Sequence, residues 1–146
     1  TESAWDLVSA APKFYPLPDM AAAKSFTELV FWQQAQNLAV EVFSLCQQGN
    51  LTEDYSIADQ FRKTALSISS YIAEGFSYGQ QLDFLTHLRH ARAAAAQLQN
   101  QVYLYRATGY LSSDQAENLL RSIAQLDERL NGTLHYIENQ GQAPKP

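Results

Sequence analysis

The chain has 146 residues, 46% of them apolar, with six glycines, five prolines, one cysteine and a formal net charge of −5. One domain of this length buries a core unaided, so the composition excludes a disordered chain and a loop-rich β fold, and the lone Cys46 excludes an internal disulfide framework. The acidic balance argues against indiscriminate attraction to nucleic acid or an anionic membrane, and no apolar run is long enough to cross a bilayer.

Residues 1–24 stand apart. The stretch PKFYPLPDM carries Pro12, Pro16 and Pro18, which remove backbone donors and hold the chain extended. Trp5, Leu7, Val8, Phe14, Tyr15 and Leu17 make this arm too apolar to stay solvated, so it is expected to lie against the body or against a partner. No basic segment followed by an apolar stretch opens the chain, and a cytoplasmic location is the expectation.

Four amphipathic helices follow. The first is expected to begin at Ser25, where Ser25 and Glu28 have capping-box spacing, and to turn Leu29, Trp32, Ala35, Leu38/Ala39, Val42 and Leu45/Cys46 inward until Gly49-Asn50 stops it. The second starts near Thr52 or Tyr55 with Ile57/Ala58, Phe61, Ala65, Ile68 and Ile72 on one face. The third spans about 80–107 through Leu82, Leu85, Leu88, Ala91, Ala95, Leu98, Val102 and Tyr105, and its ARAAAAQ centre lets a neighbouring helix come close. Thr108-Gly109 ends it. The fourth opens on a second capping box, Ser112 to Gln115, and repeats Ala116, Leu119/Leu120, Ile123, Leu126, Leu130, Leu134 and Ile137 at nearly the period of a bundle seam. Short connections between helices of similar length predict an all-α, antiparallel up-down-up-down four-helix bundle over residues 25–139, followed by a disordered tail at 140–146.

The stretch SISSYIAEGFSYGQ, residues 67–80, carries the chemistry-bearing side chains at the highest density. Its serines lack the strand-to-helix elbow and the histidine of a nucleophilic site, and its glycines follow a helix instead of opening one around a phosphate. The expectation is that Gly75 ends or tightly packs the second helix, with Glu74 held by an arginine or a backbone donor. Asp83, His87 and His90 share one face of the third helix, but with only His135 left to complete a set they read as a solvated face, not a metal site. No catalytic group, metal site or cofactor is expected. Tyr55, Tyr71, Phe76, Tyr78, Phe84, Tyr103, Tyr105, Tyr110 and Tyr136 exceed what the seams accommodate, which points to self-association through a surface rich in aromatics.

The words FTELVFWQQAQNLAVEVFSL, QFRKTALSISSYIAEGF and DFLTHLRHARAAAAQLQNQVYLYRATGYL resemble the 23S ribosomal RNA intervening-sequence protein family over about residues 26–137. The most specific words are F-x-x-L-x-x-W-Q at Phe26, Leu29, Trp32 and Gln33, and S-I-x-S-x-I-A-E-G from Ser67 to Gly75, where Ser69 and Tyr71 replace the family's usual proline and asparagine. The resemblance implies a left-handed bundle assembling as a homopentamer without enzymatic activity, similar to the accessory variability proteins of diversity-generating retroelements. Two readings follow. In the first, a homo-oligomeric scaffold binds a protein partner through Trp5, Phe14, Tyr15, Tyr71, Glu74, Phe76 and Tyr78. In the alternative, Arg62, Lys63, Arg89 and Arg92 form a basic ring that binds RNA or DNA, or accompanies a reverse transcriptase.

Overall fold

The computed structural model describes residues 23–139. Four helices run through them: α1 (Val30–Leu45), α2 (Tyr55–Ser77), α3 (Gln81–Ala107) and α4 (Ser113–Asn139). Short 3-10 turns at Phe26–Glu28 and Gly49–Thr52 complete the order, and there is no strand among the described residues. The arm with Trp5, Phe14 and Tyr15, and the tail at 140–146, lie outside the described residues.

Alternating direction is visible in the side-chain pairs. Gln101 reaches Thr64 (2.9 Å) and His87 faces Glu74 (3.7 Å), so α3 runs back along α2. Arg89 reaches Glu138 (2.9 Å) and Arg92 reaches Asn131 (3.2 Å), so α4 runs back along α3. Consecutive helices pack on one another, α1 also packs on α4, and the diagonal pairs pack far less, which closes the square of a four-helix bundle. The α2–α3 pair is the most extensive, because Ala91, Ala94 and Ala95 are buried in α3 and offer small side chains to the approach.

The first helix begins later than its capping-box spacing suggests. Ser25 Oγ accepts from the Thr27 N–H and Glu28 accepts from Lys24, not from Ser25, so the motif caps only the 3-10 turn. Leu29 then adopts an extended conformation (φ −74°, ψ 126°) and the α-helix starts at Val30. That break resets the helical phase. Phe31, not Trp32, enters the core, followed by Ala35, Leu38, Val42 and Leu45 at spacings of four, three, four and three, while Trp32 stays half-buried with its ring edge on Phe26.

A similar shift applies at the start of α3. Phe84 is fully buried against Phe31, whereas Leu82 is 77% exposed and Leu85 half-buried, so the seam runs through Phe84, Leu88, Ala91, Ala95, Leu98, Val102 and Tyr105. Of the surplus aromatics, Phe84, Tyr105 and Tyr136 are therefore core residues, with Tyr105 edge-on to Phe61 at 5.1 Å. Each such large side chain taken from water contributes about 1.5–3 kcal/mol before its entropy cost is subtracted.

The loops are built from local rules. Gly109 (φ 85°) closes α3 in a Schellman motif: the Tyr110 N–H donates to the Tyr105 carbonyl (2.8 Å), Gly109 N–H to that of Arg106 (3.3 Å), and the two tyrosine rings meet at 5.9 Å. Ser112 and Gln115 then form the reciprocal capping box that opens α4 (2.9 and 3.1 Å). At the same end, Asn50 donates to the Gly109 carbonyl (3.1 Å) and the Tyr110 hydroxyl donates to Asp54 (2.6 Å), whose other oxygen caps α2 by accepting from Ile57 (3.3 Å).

Gly75 lies inside α2, two residues short of its end; the positive φ falls instead at Gly79 (65°). A Cβ on Gly75 would come within 2.6 Å of the His87 Cβ, whereas one on Gly132 in α4 would meet nothing within 4 Å. Two substitutions of the same chemistry should therefore act oppositely in urea or thermal unfolding. Gly132→Ala should stabilise by about 0.5–1 kcal/mol through helix propensity, and Gly75→Ala should destabilise by about 1–3 kcal/mol because α2 and α3 must separate. Equal effects at the two sites would show that the close approach at Gly75 carries no weight.

Candidate functional site

The α2–α3 edge gathers the polar and aromatic side chains of the 67–80 stretch. Three of the four serines there are occupied by their own helix: Ser67 donates to the Thr64 carbonyl (2.7 Å), Ser69 to Leu66 (3.1 Å) and Ser77 to Glu74 (2.6 Å), while Ser70 is exposed. Such back-bonding satisfies the hydroxyl locally and leaves it without an activating base.

Facing them, α3 contributes His87 and His90. His87 Nδ1 lies 2.6 Å from the Asp83 carbonyl, which only accepts, so Nδ1 carries a proton and donates to it, and Nε2 faces Glu74 Oε1 at 3.7 Å. Glu74 is thus met by a histidine, not by the arginine or backbone donor its position suggested. The rings continue along the edge. Tyr78 lies 5.1 Å from His87, His87 lies 6.1 Å from His90, and Tyr71 stands edge-on to His90 at 5.3 Å. Beyond Tyr71 and His90 a groove of about 310 Å³ runs toward Lys63 and Gln97 over a floor of Ala93 and Ala94.

Tyr71, Glu74 and Tyr78 therefore come together on the side of α2 that faces α3. Phe76 does not join them; it is half-buried against the core. Two exposed apolar side chains frame the connection between the helices, Tyr78 (52% exposed) and Leu82 (77%). Leu82 escaped the sequence reading because its spacing fits the seam as well as Phe84 does, and the choice between them is settled only by where α3 begins. His87 and His90 read as a solvated face because their partners, Glu74, Tyr78 and Tyr71, come from another helix. Among the described residues no group of three or more His, Cys, Asp or Glu side chains is placed to hold a metal ion.

The four basic residues do not converge. Lys63 and Arg62 both lean on Asp59 (2.9 and 4.0 Å), and Arg62 also lies over the Tyr55 ring. Arg89 and Arg92 turn to the other side of α3, toward Glu138 and Asn131 of α4. Two carboxylates elsewhere are less comfortable. Burial pushes the Asp127 carboxyl above its ordinary value against the opposing pull of Arg92, and burial likewise raises Glu41 against its hydrogen bond with Ser122. The Cys46 thiol, buried with its hydrogen directed at the Ala58 carbonyl (3.6 Å), is also raised by burial, partly offset by Arg62.

Comparison with known proteins agrees with the fold. Residues 27–132 match the family model described as 23S rRNA-intervening sequence protein. Among solved structures, the chain is similar to a Bacteroides thetaiotaomicron protein described as of unknown function from the S23 ribosomal protein family. The TM-score is 0.65 at 18% identity, and the match covers 72% of this chain and 98% of that one. No curated protein matches the chain.

The raised carboxyls set the sign of a pH effect. A carboxyl whose folded-state pKa lies above its unfolded value ionises first in the unfolded chain. It therefore costs the fold stability as pH climbs from the unfolded pKa through the folded one. Glu41→Gln and Asp127→Asn should each raise the thermal midpoint slightly at pH 7, and the gain should vanish as pH falls below about 4. Melts of parent and variants across that range test it; a gain that grows toward low pH would contradict the burial argument.

Proposed function

The chain belongs to the 23S rRNA-intervening sequence protein family, and on that premise we propose that it is a non-enzymatic, homo-oligomeric scaffold that works by holding copies of itself and a protein partner together. The observation that carries this reading is the pair Tyr78 and Leu82, large apolar side chains left largely exposed where α2 turns into α3, beside the ring array of Tyr71, His90 and His87. Aromatic side chains with polar tips next to apolar ones are the composition of an interface core, since they bury much area at small entropy cost. The small floor of the neighbouring groove, Ala93 and Ala94, leaves room for a helix or side chains of a second copy to sit close. Five copies per assembly is the number that the resemblance of the sequence words implies. Ser67, Ser69 and Ser77 of the same stretch, each bonded to its own helix, support a contact surface over a reaction centre.

The alternative reading, a nucleic-acid-binding accessory protein, draws on the family's description. It is the weaker one here. Lys63, Arg62 and Arg89 each have a carboxylate partner and Arg92 an amide, and the whole chain carries −5. Phosphate binding would have to break those pairs or share them.

Light scattering coupled to size-exclusion chromatography separates the readings. The parent chain should elute at a multiple of 16.4 kDa without excess absorbance at 260 nm. Tyr78→Lys combined with Leu82→Glu should shift it toward the single-chain mass with helical circular dichroism unchanged. A parent chain that elutes as a single copy at micromolar concentration would remove the scaffold reading, and co-eluting nucleic acid would favour the alternative.

A further inference from the structure

The groove beside Tyr71 is furnished with polar groups that the packing of α2 on α3 does not use. Its floor is Ala93 and Ala94 of α3, the first exposed and the second buried, which leaves an apolar strip without long side chains. Two rings at right angles close one end: Tyr71 of α2 stands edge-on to His90 of α3, with centroids 5.3 Å apart and 86° between the planes. Lys63 stands at the other end, about 12 Å from Tyr71 along the α2 axis. Between them the hydroxyls are spent. Thr64 accepts from Gln101 (2.9 Å) and donates to the Gln60 carbonyl (3.0 Å), and Ser67 donates to the Thr64 carbonyl (2.7 Å). The groups left over are mainly donors. The Tyr71 hydroxyl, the His90 imidazole and the Gln97 amide make no hydrogen bond to another described residue, and the Lys63 ammonium gives one of its hydrogens to Asp59 (2.9 Å) and keeps the others. No described carboxylate lines the groove. An apolar floor under a rim of donors selects a flat apolar body with acceptors at its edge.

We propose that this groove is a binding site for a small planar aromatic acid, its ring on Ala93 and Ala94 against Tyr71 and His90 and its carboxylate taken by Lys63. The methyl side chains of the floor let a flat ring come close to the α3 backbone, and the rings of Tyr71 and His90 add an aromatic contact at its edge. Charge fixes the orientation. Lys63 is the one fully charged side chain on the described lining, and a carboxylate there takes the ammonium hydrogens that Asp59 leaves over, with the Gln97 amide on the facing helix as a further donor. A volume of about 310 Å³ is at the small end of the range for ligand pockets and holds one or two fused rings. The walls are already in place, because the close approach of Gly75 to His87 holds α2 and α3 at a set distance. Tyr78 lies about 10 Å beyond Tyr71 along α2, so the groove is separate from the Tyr78–Leu82 pair that carries the scaffold reading.

Titration of the full chain with benzoate tests it, followed by saturation transfer from the protein and by the His90 ring protons in NMR. Benzoate should bind with a dissociation constant on the order of 1 mM, as suits so small a ligand on an open groove. It should bind several-fold more tightly than benzamide, which keeps the flat shape without the charge. Ala93→Phe, at an exposed position, should fill the groove and remove binding while helical circular dichroism stays unchanged. Ala93→Leu makes the same test if the larger ring lowers the helix content. Lys63→Gln should bring benzoate down to the level of benzamide, and Asp59→Asn, which releases Lys63, should strengthen benzoate several-fold. A parent chain with no saturable benzoate binding overturns the proposal, and so does binding that Ala93→Phe leaves untouched. Benzoate that binds only after Tyr78→Lys with Leu82→Glu has separated the copies overturns it too, because a neighbouring copy then covers the groove and the scaffold reading stands alone.

Discussion

The distance between the α2 and α3 backbones governs the rest of the molecule. Gly75 has no Cβ because the His87 Cβ occupies that space, and Ala91, Ala94 and Ala95 keep the remaining turns of α3 close to α2. Two helices held this near align their side chains in register: Thr64 against Gln101, Tyr71 against His90, Glu74 against His87. Wider separation would scatter those pairs and open the groove above Ala93 and Ala94. The candidate surface is thus a product of backbone approach more than of any single polar residue.

Charge is distributed to match. Basic side chains are spent on contacts within the body, Arg89 on Glu138 and Lys63 on Asp59, at exposed positions where water screens such pairs and they add little to stability. Their effect is to leave the surface without a concentrated positive field, while α1 and the second half of α2 present almost no charge of either sign. The Tyr78–Leu82 end of the α2–α3 edge and the α1–α2 face are for that reason the regions where association is least opposed by desolvation of ions.

The four helices were legible because apolar positions repeat with a helical period over long stretches, and the fourth was read nearly residue for residue: the Ser112–Gln115 box and the Ala116 to Ile137 stripe stand as expected. Errors gathered at helix starts. Ser25 and Glu28 have capping spacing but cap a 3-10 turn, and the extended Leu29 moves the buried ring from Trp32 to Phe31. Leu82 and Phe84 are both plausible inward positions until the first turn of α3 is fixed at Gln81. The partners of Glu74, His87 and the four cations come from other helices, and contacts between helices have no period in the chain. Gly75 was recognised as a special position, but whether it ends a helix or lets one approach depends on its φ and on its neighbour across the gap, neither of which composition reveals.

At the opposite end of the bundle a single carboxylate has two duties. Asp54 caps α2 through the Ile57 N–H with one oxygen and receives the Tyr110 hydroxyl with the other, next to the Schellman turn that closes α3. It is a clasp between the hairpin of the first two helices and the hairpin of the last two. A fluctuation that frays the start of α2 therefore tugs on the α3–α4 corner as well, and the two hairpins are coupled in their opening there instead of breathing as independent halves.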